Sequence, residues 1–290
     1  MTSLFLEYEN TRKRNDIVGK RFIWTDQLKQ EVYSTSFATD NTLGPSSTFT
    51  RASVGTYVDA NGRVAYTGLN EPRFTHDPET GESLGLLIEE ERTNLLLHSN
   101  DFTQSNWIAQ NSHPSPTPDI VGPDGVSNSG LRFYRTTEDQ YIYQQVVGGG
   151  TYTLSAWIRS EASTGSFTMQ GYNEVDGVMG TSFTATDQWK LYSITISPTI
   201  TTNYYLCIPT HINTSFYVSC VQVEQGAFAT SYIPTTTSIS TRAADSLGIR
   251  LNPRTTSPSK RSNEVVVTKV YKKYSTDRKS TRLNSSHKTM

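Results

Sequence analysis

The residues able to carry chemistry are few. Glu89, Glu90 and Glu91 are the densest carboxylates in the chain. Glycoside hydrolysis needs two carboxylates opposed across a cleft, roughly 5 to 9 Å apart. Adjacent residues on a strand alternate faces, so this triplet is a poor opposed pair. It fits better as a structural ion pair, with Glu89 or Glu91 meeting Arg92 or Arg51 to pin an N-terminal block to the rest of the fold. Asp77, Glu82, Asp119, Asp124 and Asp187 fall in turn-like stretches, where Asp favours the geometry. His76, His98, His113 and His211 are far apart, and neither a zinc motif nor a Gly-x-Ser-x-Gly elbow is present. No catalytic residue and no metal ligand is expected, and the chain is read as a non-enzyme.

Two glycine-containing stretches and one aromatic set remain. Gly148-Gly149-Gly150 precedes a strand and reads as a turn, not a phosphate cradle. Asn173-Glu174-Val175-Asp176-Gly177 offers oxygens for a structural calcium, but Asp-Gly is itself a hairpin signal. The hairpin is the expectation, and no cofactor is called for. Sugars present apolar C–H faces that stack on aromatic rings, while amides and guanidiniums bond the hydroxyls. Trp157, Arg159, Gln170 and Tyr172, extended by Tyr141 and Tyr143, form the candidate sugar-binding set. The alternative is that these aromatics fill a core or pair across strands. Trp107 and Trp189 are assigned to packing.

The elements that must position these side chains are strands. The chain has 290 residues, enough for one large or two modest domains. Only 18% of them are charged, and Gly and Tyr are abundant (19 and 16), a composition that favours pleated strands and tight turns. A net charge of -1 argues against nucleic acid or anionic lipid as partner, and no stretch reaches membrane-spanning length. Cys207 and Cys220 are too few for a disulfide scaffold and read as free thiols of a cytoplasmically made protein.

Residues 1–29 are charged and irregular, an uncertain leader. From residue 30 the texture turns to strands, and Asn61-Gly62 between two alternating runs predicts a type I′ hairpin. Residues 30–99 are therefore an N-terminal β block. Short strands then recur at 131–134, 141–147, 151–160, 166–173, 181–184, 188–197, 203–208 and 216–224, the spacing of a sandwich. In 151–160, Tyr152, Leu154, Ala156 and Ile158 share a core face, and Thr153, Ser155, Trp157 and Arg159 share a face suited to a groove. The sandwich is set at 100–247, followed by a linker or extra strand at 248–276. Residues 277–290 include Asp-Arg-Lys-Ser-Thr-Arg-Leu-Asn-Ser-Ser-His, which resembles a translated sequencing adapter, so this tail is read as an artefact.

Two groups of segments carry a family resemblance. One comprises Phe49-Thr50-Arg51-Ala52-Ser53, Pro72-Arg73-Phe74, Gly85-Leu86-Leu87-Ile88-Glu89 and Arg92-Thr93-Asn94-Leu95-Leu96. The other comprises Val223-Glu224-Gln225-Gly226, Ser231-Tyr232-Ile233-Pro234-Thr235 and Thr241-Arg242-Ala243-Ala244-Asp245. In this order they resemble phage and prophage tail or head-fibre proteins whose N-terminal block precedes a jelly roll like those of carbohydrate-binding modules. The resemblance implies an all-β, galactose-binding-like jelly-roll sandwich with an N-terminal hairpin block, a place in the virion, and virion proteins as partners. A bacterial surface polysaccharide is the expected ligand, and a homotrimer fits the analogy with phage fibres. A purely architectural virion protein and a tail-associated polysaccharide depolymerase stand as alternatives.

Overall fold

The computed structural model describes residues 42–44, 47–110, 120–134, 136–137 and 140–250, with the strand segments Leu4–Phe5, Ser34–Thr35 and Glu264–Val267. Apart from those segments, the leader, the linker and the adapter-like tail lie outside the described residues, as do His113 and Asp119.

The first strands are β1 (Leu4–Phe5), β2 (Ser34–Thr35), β3 (Ser47–Thr50), β4 (Gly55–Val58) and β5 (Val64–Thr67). Next come β6 (Phe74–His76), β7 (Ser83–Leu86), β8 (Arg92–Asn94), β9 (Ile108–Gln110) and β10 (Gly130–Tyr134). Then follow β11 (Tyr141–Val146), β12 (Tyr152–Ser160), β13 (Thr164–Asn173), β14 (Gly177–Thr186) and β15 (Lys190–Ile196). The last are β16 (Thr202–Pro209), β17 (Ser215–Gln225), β18 (Ser240–Arg242), β19 (Ser246–Arg250) and β20 (Glu264–Val267). No helix occurs among the described residues.

Two antiparallel sheets form the sandwich, one ordered β10-β17-β12-β15 and the other β14-β13-β16-β11-β9. The chain changes sheet between β12 and β13, returns between β14 and β15, and changes again on either side of β16. That winding defines a jelly-roll β-sandwich. Leu154, Ala156 and Ile158 of β12 and Phe167 and Met169 of β13 meet in the core with Leu131, Phe133, Phe216 and Val218. Phe167 is its hub, with Phe183 stacked at 5.6 Å, Tyr192 edge-on at 5.1 Å and Phe216 tilted at 5.4 Å. Each such ring pair adds about 1 kcal/mol beyond area burial.

Strand β17 contains a bulge opposite β12, between the pairs Ser155↔Gln222 and Trp157↔Ser219. Cys220 adopts φ 48° there, and its N–H is taken by Asn100 Oδ1 at 2.5 Å. The extra residue keeps both Val218 and Val221 in the core while turning the free Cys220 thiol outward into a second apolar cluster.

The N-terminal block is a set of small pairings: β4 with β5, β6 with β7, β8 with β18, and β3 with β19, which also pairs with β20. After the sandwich the chain thus returns to the block it started from. The β4–β5 hairpin differs in detail from the type I′ expectation. Gly62 alone has positive φ (75°), and its N–H bonds Asp59 O at 3.0 Å. Asp59 Oδ1 accepts the N–H groups of Asn61 and Arg63. That Asp cap favours a type I turn followed by a left-handed glycine, where type I′ would need Asn61 left-handed too.

One buried amide joins block to sandwich. Asn94 Nδ2 donates to the carbonyls of Val221 (3.0 Å) and Ile233 (2.9 Å). Its Oδ1 accepts the N–H groups of Leu96 (3.1 Å) and Val223 (3.2 Å). All four bonding positions of the amide are used. Asn94→Ala is expected to lower unfolding free energy by about 3 kcal/mol, since buried donors and acceptors are left unpaired. Urea denaturation checks this; a loss below about 1 kcal/mol would remove Asn94 from the joint.

Candidate functional site

The outward face of the five-stranded sheet is built by alternation. Ile142 and Val146 of β11, Tyr204 of β16, and Phe167 and Met169 of β13 point into the core, so their neighbours point out. Register then aligns two rows across the strands. Tyr143 lies opposite Tyr205 and Tyr205 opposite Gln170, with Gly180 beyond. Gln145 lies opposite Asn203 and Asn203 opposite Tyr172, with Val178 beyond.

Tyr205 is the anchor of this face. It is 7% exposed, packed edge-on by Tyr141 at 5.6 Å and tilted against Tyr143 at 5.0 Å, and burial raises its phenol pKa. Tyr141 and Tyr143 are half-buried and Tyr172 is 38% exposed. Gln145 Nε2 donates to Asn203 Oδ1 at 3.2 Å, and Thr168 shares a hydroxyl bond with Ser182 at 2.9 Å. Rings beside oriented amides and hydroxyls suit a flat polar ligand with apolar C–H faces. The two rows contain no carboxylate.

The structure thus brings Tyr141, Tyr143, Gln170 and Tyr172 onto one face, and adds Tyr205, Gln145 and Asn203. Trp157 and Arg159 are not with them, and their place in the expected groove is corrected. Both stand on β12, in the other sheet, because the chain changes sheet between β12 and β13 instead of turning into a neighbouring strand. Trp157 is 4% exposed, packed with Val64, Cys220 and Tyr232, and flanked by Val58 and Trp189. Strand β5 and the 231–235 segment cover it. Thr153 and Ser155 on the same side are buried as well.

Arg159 sits 4.0 Å over the Tyr217 ring and 5.4 Å from that of Trp189. Nearby, a depression of about 420 Å³ is lined by Arg132, Tyr134, Glu161, Asn213 and Ser215 among others. Arg132 bonds Glu161 in bidentate fashion (3.1 and 2.6 Å), and Tyr217 Oη adds a third bond. Arg132 is the main cause that draws the Glu161 pKa down to about 2. An ionised carboxylate so engaged is unsuited to proton donation.

The 173–177 stretch forms the expected hairpin turn between β13 and β14. Asn173 Oδ1 caps the N–H groups of Val175 and Asp176, and its Nδ2 donates to Asp176 Oδ2. Asp176 also accepts from the Thr199 N–H and hydroxyl. No His, Cys, Asp or Glu cluster able to hold a metal ion occurs among the described residues. Gly149 makes the 148–150 turn a close approach, since a Cβ there would lie 2.4 Å from Thr199 O.

The second built site is an ion cluster. Arg51, Arg73 and Arg242 are each 1% exposed or less. Arg73 Nη1 donates to Glu89 Oε2 (2.8 Å), to Ser231 Oγ (2.7 Å) and to Thr56 O (2.9 Å), and its Nη2 pairs with Asp245. Arg51 pairs with the other Asp245 oxygen at 3.2 Å and donates to the carbonyls of Ser53, Gly68 and Glu71. Arg242 reaches Glu89 at 3.1 Å and Glu90 O at 2.6 Å. Asp245 Oδ2 and the Asp245 N–H bond the backbone N–H and C=O of Glu89.

The expected pairing of Glu89 with Arg92 or Arg51 is therefore corrected. Glu89 meets Arg73 and Arg242, and Arg51 meets Asp245. Arg92 pairs with exposed Glu90, lies 4.0 Å from buried Glu224 and stacks over Phe228. The partners come from segments up to 194 residues apart, beyond the reach of local spacing. Two glycines admit the guanidiniums. A Cβ at Gly55 would lie 3.0 Å from Arg51 Cζ, and one at Gly226 would overlap Arg92.

No protein-family model matches the sequence, and no curated protein matches it. Solved structures that it resembles in fold include the CBM22-1 xylan-binding domain of Xyn10C from Paenibacillus barcinonensis. That likeness has 13% identity and a TM-score of 0.39, over 49% of this chain and 99% of that one. TmCBM61 in complex with β-1,4-galactotriose has 10% identity and a TM-score of 0.33, over 46% and 99%. The enzymatically active domain of bacteriophage CBA120 tailspike protein 4 has 13% identity and a TM-score of 0.35, over 45% and 21%. These likenesses concern the jelly-roll fold alone.

The cluster carries a pH signature. Burial would raise the Glu89 pKa, but Arg242, Arg73 and the Ser231 bonds outweigh it and hold the carboxyl below its ordinary value. A carboxylate depressed on folding adds stability that is complete above its unfolded value, about 4.3. That stability is lost as pH falls through the lower folded value. Glu89→Gln is expected to cost about 3 to 5 kcal/mol at pH 7, with the deficit narrowing as pH falls below about 4. Urea midpoints across pH test this; a deficit that does not change with pH would contradict it.

Proposed function

We propose that this chain is a non-catalytic carbohydrate-binding component of a phage fibre, reading a bacterial surface polysaccharide through the outer face of its five-stranded sheet. The observation that carries the sugar reading is the pair of cross-strand rows, with Tyr172, Tyr143 and Tyr141 offered to solvent around the buried Tyr205 and bordered by Gln170, Gln145 and Asn203. Rings supply stacking surfaces and amides supply hydroxyl partners, the combination a neutral glycan requires. Absence of carboxylates from the rows, and engagement of Glu161 with Arg132 and Tyr217, weigh against the depolymerase alternative.

The virion assignment, with other virion proteins as partners, is supported by the ordered motifs. Arg51, Arg73, Glu89, Arg92, Asn94, Ser231, Arg242 and Asp245 all lie in motif segments, and all lie in or beside the joint between block and sandwich. A homotrimer is retained only as an analogy with fibres. The architectural alternative is favoured by one observation, the burial of Trp157 beneath the N-terminal block, which makes that face of the sandwich a packing surface.

A glycan array of bacterial surface polysaccharides, probed with the full chain, tests the reading. Tyr172→Ala and Gln170→Ala are each expected to weaken binding roughly tenfold or more, the loss of one stacked ring or one buried bond. Trp157→Phe and Arg159→Ala should leave affinity within roughly twofold. Binding lost with Arg159→Ala but kept in Tyr172→Ala would move the site to the other sheet. A folded chain that binds no glycan would leave the architectural alternative.

A further inference from the structure

Strand β14 is an outer strand of the five-stranded sheet. Its inner neighbour β13 pairs with it along all of Gly177–Thr186 without a register break, and no described strand pairs its other side. Its sequence, Gly-Val-Met-Gly-Thr-Ser-Phe-Thr-Ala-Thr, holds no charge and no proline. Exposed edges usually carry one of these, or a bulge, because unpaired N–H and C=O groups recruit other strands. The other three edges of the sandwich are protected in those ways. Strand β9 has three residues, β10 carries Arg132, and β15 opens with Lys190.

We propose that β14 pairs antiparallel with β14 of a second copy of this chain, about a twofold axis normal to the sheet. Tyr192 Oη donates to Thr184 O at 3.1 Å and caps one end of the edge, so the open stretch centres on 178–183. An uncharged strand meets no like charge when it faces its own copy, and the net charge of -1 per chain adds little repulsion. Met179 and Phe183 pack on the rim of the core, and an antiparallel pairing continues that apolar side across the axis. Because the same edge is used on both copies, the twofold contact closes at two and does not grow into a filament.

Such pairing sets both outer faces on the same side of one ten-stranded sheet. Tyr172 is level with Val178, at one end of the open stretch, so the two Tyr172 rings would stand three strand spacings apart across the sheet and several residues apart along it, roughly 20 to 25 Å in all. This consequence, unlike the pairing itself, rests on the sugar-face reading: one repeating polysaccharide would meet two faces at once and gain by effective concentration.

Sedimentation equilibrium of the full chain, without sugar, tests the pairing from about 1 to about 100 µM. Thr181→Lys and Ser182→Lys change exposed edge positions, and thermal melts establish that each variant is folded. The expected result is a two-chain mass for the wild type and at least a roughly tenfold weaker association for either folded variant. A single-chain mass throughout, a three-chain mass, or a dimer that both lysines leave intact would overturn the proposal. Because no sugar is present, failure of the sugar-face reading leaves this readout unaffected.

Discussion

Everything outside the sandwich depends on one buried arrangement, three guanidiniums folded around Glu89 and Asp245. Beside it the N-terminal block has the Asn94 amide and the apolar contacts around Trp157. Its strands have two to five residues each, pair two or three at a time, and lack a large apolar core of their own. Isolated pairs of that size are marginal in water. Arg51, Arg73 and Arg242 supply what the ladders do not, because each planar fork satisfies several carbonyls and a carboxylate together. Idealised attraction overstates what such a set contributes, since desolvation offsets most of it. The useful quantity is the asymmetry: removal of one member strands the others in a dry interior, which is strongly destabilising.

That asymmetry gives the cluster a specifying role. Glu89 and Asp245 are separated by 156 residues, yet they exchange backbone and side-chain bonds at one point. Chains that arrive out of register leave guanidiniums unpaired, so the cluster selects one pairing of the N-terminal strands with the returning β18–β19 segment. Once docked, the block covers Trp157 and the Cys220 thiol, which burial raises to about 12 and renders unreactive. The opposite sheet remains open, and its outer face is where Tyr172 and the amide rows are presented. A packed joint on one side and an open face of rings and amides on the other is how the two sheets differ.

Alternation in the sequence was a sound guide to the faces of strands. It separated Tyr152, Leu154, Ala156 and Ile158 from Trp157 and Arg159, and the first set is core. It could not say which sheet a strand joins, nor what covers an outer face. Trp157 and Tyr172 were therefore placed in one groove when they stand on opposite sheets. Tyr205 was missed although plain alternation turns it outward next to the core residue Tyr204; the β16 register shift lies beyond it, between Tyr205 and Ile208. Glu89 was legible as an ion-pair member, but not its partners, because Arg73 and Arg242 approach from remote segments. Asn61-Gly62 announced a turn correctly in place, while the side chain of Asp59 decided its type.

Hydrogen exchange by mass spectrometry on Asp245→Asn, compared with the wild type, tests the central claim most directly. Removing that charge takes the carboxylate partner from buried Arg51 and leaves buried Arg73 with Glu89 alone. The account predicts that β3 to β8, β18 and β19 lose protection together, while β12, β13 and β16 keep theirs. Loss confined to the residues beside Asp245, or a uniform loss across both sheets, would contradict the view that this cluster is what holds the block together.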